Sequence, residues 1–316
     1  MPLGLQILLW AAGVTVGGYI ISFIMVNALL FLRFFVKWKP EKCVQTALMD
    51  GGYDKYRDKI KSIVEKLEKL PNERVYCNSK DGLALSARFY NTGSDKVAVL
   101  CHGVHAVPWN NFSVLGERLL ASGYDVLITD ERAHGQSQGR FVTYGTRESE
   151  DILCWLDFLK SYPAIKEITL CGVSMGGSSV CYIADKVDDE RVKTLVIDCA
   201  FVSADRLTKE IFKRMKLPYF LVCGAFVCAK LFVKVDMKER TEDHLAKTGI
   251  PALFIHGTAD KVVNYKQTLS NYSACASKKQ LITVDGADHT VATVAGGDEV
   301  LQKIMNFIDN KGEQNG

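Results

Sequence analysis

Cys171-Gly172-Val173-Ser174-Met175-Gly176-Gly177 is the stretch on which the reading of this chain turns. A serine carries glycine two positions before it and two after, the pattern G-x-S-x-G. The apolar run 167–171 ahead of it has strand character, and a helix is expected to start at Met175. The spacing has a mechanical reason. A serine on a sharp strand-to-helix turn leaves no room for side chains at the two flanking positions, and the turn lifts its hydroxyl clear of the sheet. The helix start adds free N–H groups and the positive end of a dipole.

Outward from this turn, short apolar runs at 97–101, 125–129, 194–198, 252–256 and 281–284 alternate with longer helical stretches. Strands covered by helices on both faces are apolar throughout, and alternation of strand and helix gives a parallel sheet with right-handed crossovers. Ahead of them, Asp81-Gly82 joins two β-rich runs as an antiparallel hairpin. The expected fold is α/β, a mostly parallel sheet with helices on both faces, and its working groups belong at the carboxyl ends of the strands.

A serine hydroxyl is a poor nucleophile until a base takes its proton and a third group orients that base. His289 follows the last strand, in Asp285-Gly286-Ala287-Asp288-His289, from where a loop reaches back over the sheet. Asp260 follows the preceding strand and is the expected orienting acid. Asp198, which also ends a strand, is the second candidate, while Asp288 would have to fold back on its own neighbour. An oxyanion needs two N–H donors, expected from Met175, next after the serine, and from Val104 in the loop after the first parallel strand.

Together His102-Gly103, Asp130-Glu131-Arg132-Ala133-His134-Gly135-Gln136-Ser137, the turn at Ser174, His256-Gly257 with Asp260, and His289 make residues 72–309 resemble the α/β-hydrolase superfamily. The resemblance is to its membrane-anchored, esterase-like members. It implies the α/β-hydrolase fold, a serine nucleophile and the order Ser174, Asp260, His289. In these relatives the second motif reads D-x-R-G-H-G-x-S. Ala133 stands where they carry glycine, which would demand a slightly different backbone. His134 is then a structural loop residue, His102 a support for the loop that shapes the oxyanion hole, and His105 and His244 surface residues. Dehalogenases and epoxide hydrolases of the superfamily carry aspartate at the turn, so Ser174 argues against both.

Of the 316 residues, 48% are hydrophobic and 24% charged, which excludes a disordered chain. Thirty-nine basic residues against 36 acidic ones leave +3, too balanced for a nucleic-acid binder. The ten cysteines are thinly spread, with no CxxC and no zinc-ligand spacing, as for reduced thiols in a reducing compartment. No phosphate loop, dinucleotide fingerprint or metal cluster is seen, so no cofactor and no metal are expected.

Residues 1–32 carry no charge, and Arg33, Lys37, Lys39 and Lys42 follow. The run exceeds the ~20 residues that cross a bilayer. It lacks the basic start and small-residue end of a cleaved signal peptide, so residues 1–36 are expected to be a transmembrane anchor. Basic residues on its C-terminal side alone place the rest of the chain in the cytoplasm. Residues 37–72 form a charged amphipathic linker helix, lying on a membrane surface or packing its apolar stripe on the domain. Residues 73–316 form the hydrolase domain, with a cap at about 202–248. Its apolar stretch 217–229 either lines an acyl-sized pocket as a lid or packs on the core. A carboxylic ester is the expected substrate, small or lipophilic, such as a monoacylglycerol or lysophospholipid. The same three residues also suit a peptidase, thioesterase or acyltransferase, and a non-catalytic binding module is the reading from another class.

Overall fold

The computed structural model describes residues 1–37 and 52–312. The sheet has eight strands: β1 (Glu73–Asn78), β2 (Ala84–Tyr90), β3 (Lys96–Cys101), β4 (Asp125–Asp130), β5 (Glu167–Val173), β6 (Val192–Asp198), β7 (Ala252–Gly257) and β8 (Lys279–Val284). Their order is β1-β2-β4-β3-β5-β6-β7-β8. The β1–β2 hairpin and the β2–β4 pair are antiparallel, and every pair from β4 to β8 is parallel. β4 and β7 are buried along their whole length, as strands with helices on both faces must be. The strands lie where the apolar runs placed them, extended by one or two residues.

Helices cover both faces. Helix α1 (Leu3–Phe35) precedes the domain, and α2 (Arg57–Leu67), α3 (Pro108–Ala121) and α10 (Ala292–Asp309) pack on one side of the sheet. On the other lie α4 (Thr146–Phe158) and α5 (Met175–Ile183), around a core holding Trp155, Val180 and Ile183. In α2 the stripe Ile60, Ile63 and Leu67 is buried against the domain, so this helix packs on the protein. The earlier part of the expected linker helix, with Lys39 and Lys42, lies outside the described residues.

Between β6 and β7 the chain forms α6 (Ala204–Arg214), a 3-10 turn (Tyr219–Val222), α7 (Cys223–Cys228), a π turn (Ala229–Val233) and α8 (Thr241–Leu245), before α9 (Tyr265–Ala274) follows β7. The apolar stretch from Tyr219 onward packs chiefly against α1, a partner the sequence reading had not considered. Asn27 joins them: its Oδ1 accepts from the Ala225 N–H at 2.9 Å, while its Nδ2 donates to the Phe23 carbonyl. Gly224 allows the approach, since a β-carbon there would lie 2.7 Å from the Asn27 side chain.

Among the described residues α1 is the one helix long and apolar enough to cross a membrane, with a mean hydropathy of 2.0 over its most apolar 18 residues. It divides in two. Residues 3–26 are almost wholly exposed, whereas Asn27, Leu30, Phe31, Phe34 and Phe35 recur at helical spacing and turn inward. Phe35 is fully buried, stacked 5.3 Å from Phe31 and edge-on to Tyr144 at 5.6 Å. Truncating such a ring costs about 3–5 kcal/mol. Phe35→Ala is therefore expected to lower the thermal unfolding midpoint in detergent and to speed proteolytic release of α1; an unchanged midpoint would show that this end of α1 does not stabilise the domain.

Candidate active site

Ser174 stands between β5 and α5 with φ 55° and ψ −114°, a conformation that L-residues rarely adopt. Its N–H donates to the Asp198 carbonyl at 2.8 Å, which ties the turn to β6. The two glycines are there because nothing larger fits. A β-carbon on Gly172 would lie 2.2 Å from the Gly176 carbonyl oxygen, and one on Gly176 would lie 1.9 Å from that of Cys101. Helix α5 begins at Met175, whose N–H is one of the four at a helix start without an intrahelical acceptor. No acceptor among the described residues takes the N–H of Met175 or of Val104. The loop after β3 lies against the serine: a β-carbon on Gly103 would be 3.3 Å from the Ser174 β-carbon.

The loops after β7 and β8 bring the other two groups in. His289 Nε2 is 2.9 Å from Ser174 Oγ, and His289 Nδ1 is 2.7 Å from Asp260 Oδ2. With the proton on Nδ1, that nitrogen donates to Asp260 and Nε2 is left to accept from the serine hydroxyl. Asp260 Oδ1 accepts the N–H groups of Val262 and Val263, which fix the carboxylate. Burial pushes the Asp260 pKa up, but the two histidines beside it outweigh burial and hold it well below the usual carboxylate range. Burial pushes His289 down, and the Asp260 charge and hydrogen bond more than reverse this, so its pKa is raised.

The second acid candidate stands apart. Neither carboxylate oxygen of Asp198 has a hydrogen-bond partner among the described residues, although both are buried. Desolvation lifts its pKa to about 6, against the opposing pull of His256 and His289.

The serine aminopeptidase S33 family pattern matches residues 92–239. An esterase of Pyrococcus furiosus, Pf2001, superposes with a TM-score of 0.65 at 25% identity, over 78% of this chain and 93% of the esterase. The chain has the α/β-hydrolase fold. It is also 24% identical to the uncharacterised protein YqkD of Bacillus subtilis, over 87% of this chain and 89% of that protein. A thiohydrolase of Aspergillus aculeatus, aneE, is 31% identical over 134 residues, 39% of this chain and 40% of that protein.

The loop histidines of this hydrolase are supports. His102 is fully buried, donating from Nδ1 to the Gly103 carbonyl and accepting the Glu131 N–H at Nε2. Burial, with His134 nearby, lowers its pKa to about 3, so it stays neutral. His134 Nε2 accepts the His105 N–H at 2.8 Å. His105 and His244 are not surface residues. His105 is half-buried in the loop that holds Val104, and His244 lies between Asp185 and Glu239, at 2.7 and 3.2 Å. Ala133 takes φ 60°, the left-handed conformation that glycine adopts freely.

Three contributions escaped the sequence reading. Asn111 accepts the Gly103 N–H and donates to the Tyr53 hydroxyl, which also accepts from Thr290, next to His289. One tyrosine ahead of the domain thus links the loops that carry Val104 and His289, and no motif spacing signals it. His256 lies 3.3 Å from Asp260 Oδ2 and is held by Thr268 and the Val263 carbonyl. Cys199 has a ligand atom within 4.8 Å of those of Asp260 and His289, a metal-competent trio that sequence spacing cannot reveal. Its thiol pKa is pushed far up, first by burial and then by Asp198 and Asp260, so the thiol is protonated while its two neighbours bond each other.

The Asp260–His289 pair makes a signed prediction. An NMR titration is expected to place the His289 pKa above the ordinary 6.5, and lower in Asp260→Asn. The pair contributes to folding stability below the ordinary histidine pKa and loses that contribution as pH rises through the raised value. Activity that needs the neutral imidazole rises over the same interval. A midpoint unchanged by Asp260→Asn would remove Asp260 as the partner of His289.

Proposed function

We propose that this hydrolase cleaves a carboxylic ester through an acyl-enzyme on Ser174. The observation that carries the reading is the hydrogen-bonded chain Ser174–His289–Asp260, at 2.9 and 2.7 Å, with its serine on the strained turn. Ser174 Oγ attacks the ester carbonyl carbon while its proton passes to His289 Nε2. The tetrahedral oxyanion is held by the N–H groups of Met175 and Val104. As the carbon–oxygen bond breaks, the alcohol leaves with the proton from His289, and a water then repeats the sequence to release the acid. Asp260 holds the imidazole tautomer and stabilises the imidazolium. No cofactor or metal enters this scheme.

The substrate is a lipophilic ester, and the chain is held in a membrane by α1. Supporting this, Met175, next to the serine, shares one apolar cluster with Phe35 of α1, Val233 of the cap and Val104, Phe201 and Val263 of the loops after β3, β6 and β7. Ser174 keeps only 5% of its surface exposed, so the nucleophile lies beneath the surface. Arg33 and Lys37 at the C-terminal end of α1 support a cytoplasmic side for the catalytic domain. The local likeness to a thiohydrolase supports a second reading, a thioester as the bond cleaved.

Labelling by a fluorophosphonate probe is expected for wild type and absent for Ser174→Ala; a well-folded wild type that stays unlabelled, with and without detergent, would overturn the catalytic reading. In a chain-length series of p-nitrophenyl esters, kcat/KM is expected to rise from acetate towards longer acyl groups. A sharp preference for acetate would overturn the lipophilic substrate.

A further inference from the structure

The outward face of the cap has the wrong chemistry for water. From Tyr219 to Val233 the buried positions Val222, Ala225, Ala229 and Val233 face the protein. On the other side Phe220, Cys223, Val227 and Leu231 recur three and four residues apart, followed by Phe232, and all are exposed. Phe220 is 58% exposed, Leu231 67% and Phe232 72%. A helical segment apolar on every face belongs in a core or in lipid, and this one lies on the surface.

Its place along α1 says which. The uncharged part of α1 has room for about 20 residues in a hydrocarbon layer of about 30 Å. Whichever window of residues 3–32 spans that layer, Phe23 lies inside it or at its edge. The Phe220 ring stacks on the Phe23 ring with centroids 6.5 Å apart, and Ala225 is bonded to Asn27 one turn further on. Anything at the depth of Phe23 is at the depth of Phe220.

The charges agree. Residues 211–235 hold no acid, and Lys213, Arg214 and Lys216 precede the apolar segment while Lys230 and Lys234 end it. All five are exposed, and Lys230 has an acid, Asp236, at 3.6 Å. Basic side chains around an apolar tip are the pattern of a surface that sits among anionic headgroups.

We propose that the outward face of the cap, from Phe220 to Phe232, is a lipid-contacting surface that sinks beside α1 into a bilayer containing anionic lipid. The proposal rests on the reading of α1 as a spanning helix. It gives the buried site a source of substrate beside the bilayer. Phe23 and Phe220 pair at the lipid end, and Phe31 and Phe226 pack with the apolar cluster that holds Val104 and Met175, next to Ser174.

The test uses the full-length protein in vesicles of phosphatidylcholine and phosphatidylglycerol with brominated acyl chains, which quench tryptophans in contact with lipid. Trp10, on the exposed part of α1, reports on the anchor through the signal lost in Trp10→Phe. Phe220→Trp and Phe232→Trp report on the cap, and Tyr76→Trp, on the outermost strand β1, is the control. Quenching of both cap probes, with Tyr76→Trp unaffected, is the expected result, and for Phe232→Trp it is expected to weaken in pure phosphatidylcholine. Cap probes no better quenched than Tyr76→Trp, with Trp10 quenched, would overturn the proposal and leave the anchor standing. If Trp10 also escapes, the anchor reading falls and takes the proposal with it. A second readout is the double variant Leu231→Ser and Phe232→Ser. It is expected to slow hydrolysis of a long-chain ester in vesicles about tenfold or more, the effect of losing the burial of two apolar side chains. It leaves a soluble short-chain ester unaffected; an equal loss on both substrates would count against the proposal.

Discussion

A β-carbon on Gly176 would sit 1.9 Å from the carbonyl oxygen of Cys101, so β3, the turn after β5 and the first residues of α5 meet only because that position carries no side chain. Much follows from this contact. It sets the loop after β3, with Gly103 and Val104, against the serine, and it places the start of α5 beside the end of β3. Gly172, whose β-carbon would strike the Gly176 carbonyl, makes the same closure from the other side. Ser174 carries the strain of the turn in a conformation that costs an L-residue of the order of 1–3 kcal/mol. The bond from its N–H to the Asp198 carbonyl and the buried packing of α5 hold it there.

The groups around the serine are buried, and burial is what sorts the charges. Asp260 and Asp198 are both buried carboxylates near His256 and His289, yet they are driven in opposite directions. Asp260 has two backbone N–H donors and the imidazole of His289, which favour its charged form. Asp198 has none of these, and burial raises it. Which acid serves the histidine is therefore a matter of which one has donors. Elsewhere the same logic holds Arg132, buried, in a bidentate pair with Asp151 and a second pair with Asp81, fixing the loop between β4 and α4.

Helix α1 has two parts. Its outer turns are exposed, with Phe23 stacked on Phe220, while its inner turns contribute Phe35 to the cluster that holds Met175 and Val233. The cap therefore leans on the helix more than on the sheet, and Asn27, the polar residue in that contact, satisfies the Ala225 N–H that would otherwise be buried unpaired.

What the sequence determined by itself was the part governed by short spacing. The apolar runs gave the strands, because a strand covered on both faces admits little else, and G-x-S-x-G gave the turn, because two glycines at those positions are what the turn requires. His289 and Asp260 were legible because the ends of strands in a parallel sheet share one edge, so groups far apart in the chain have one place to meet. The choice between Asp260 and Asp198 was only weighed there. Tertiary structure decided the rest, where contact depends on packing between distant segments. Asn111 and Tyr53 tie two site loops, His244 is lodged between two acids, Ala133 holds a left-handed conformation, and the cap packs against α1 through Asn27. Each is a side chain whose partner lies on another element, and no spacing along the chain encodes which element will come to rest against it.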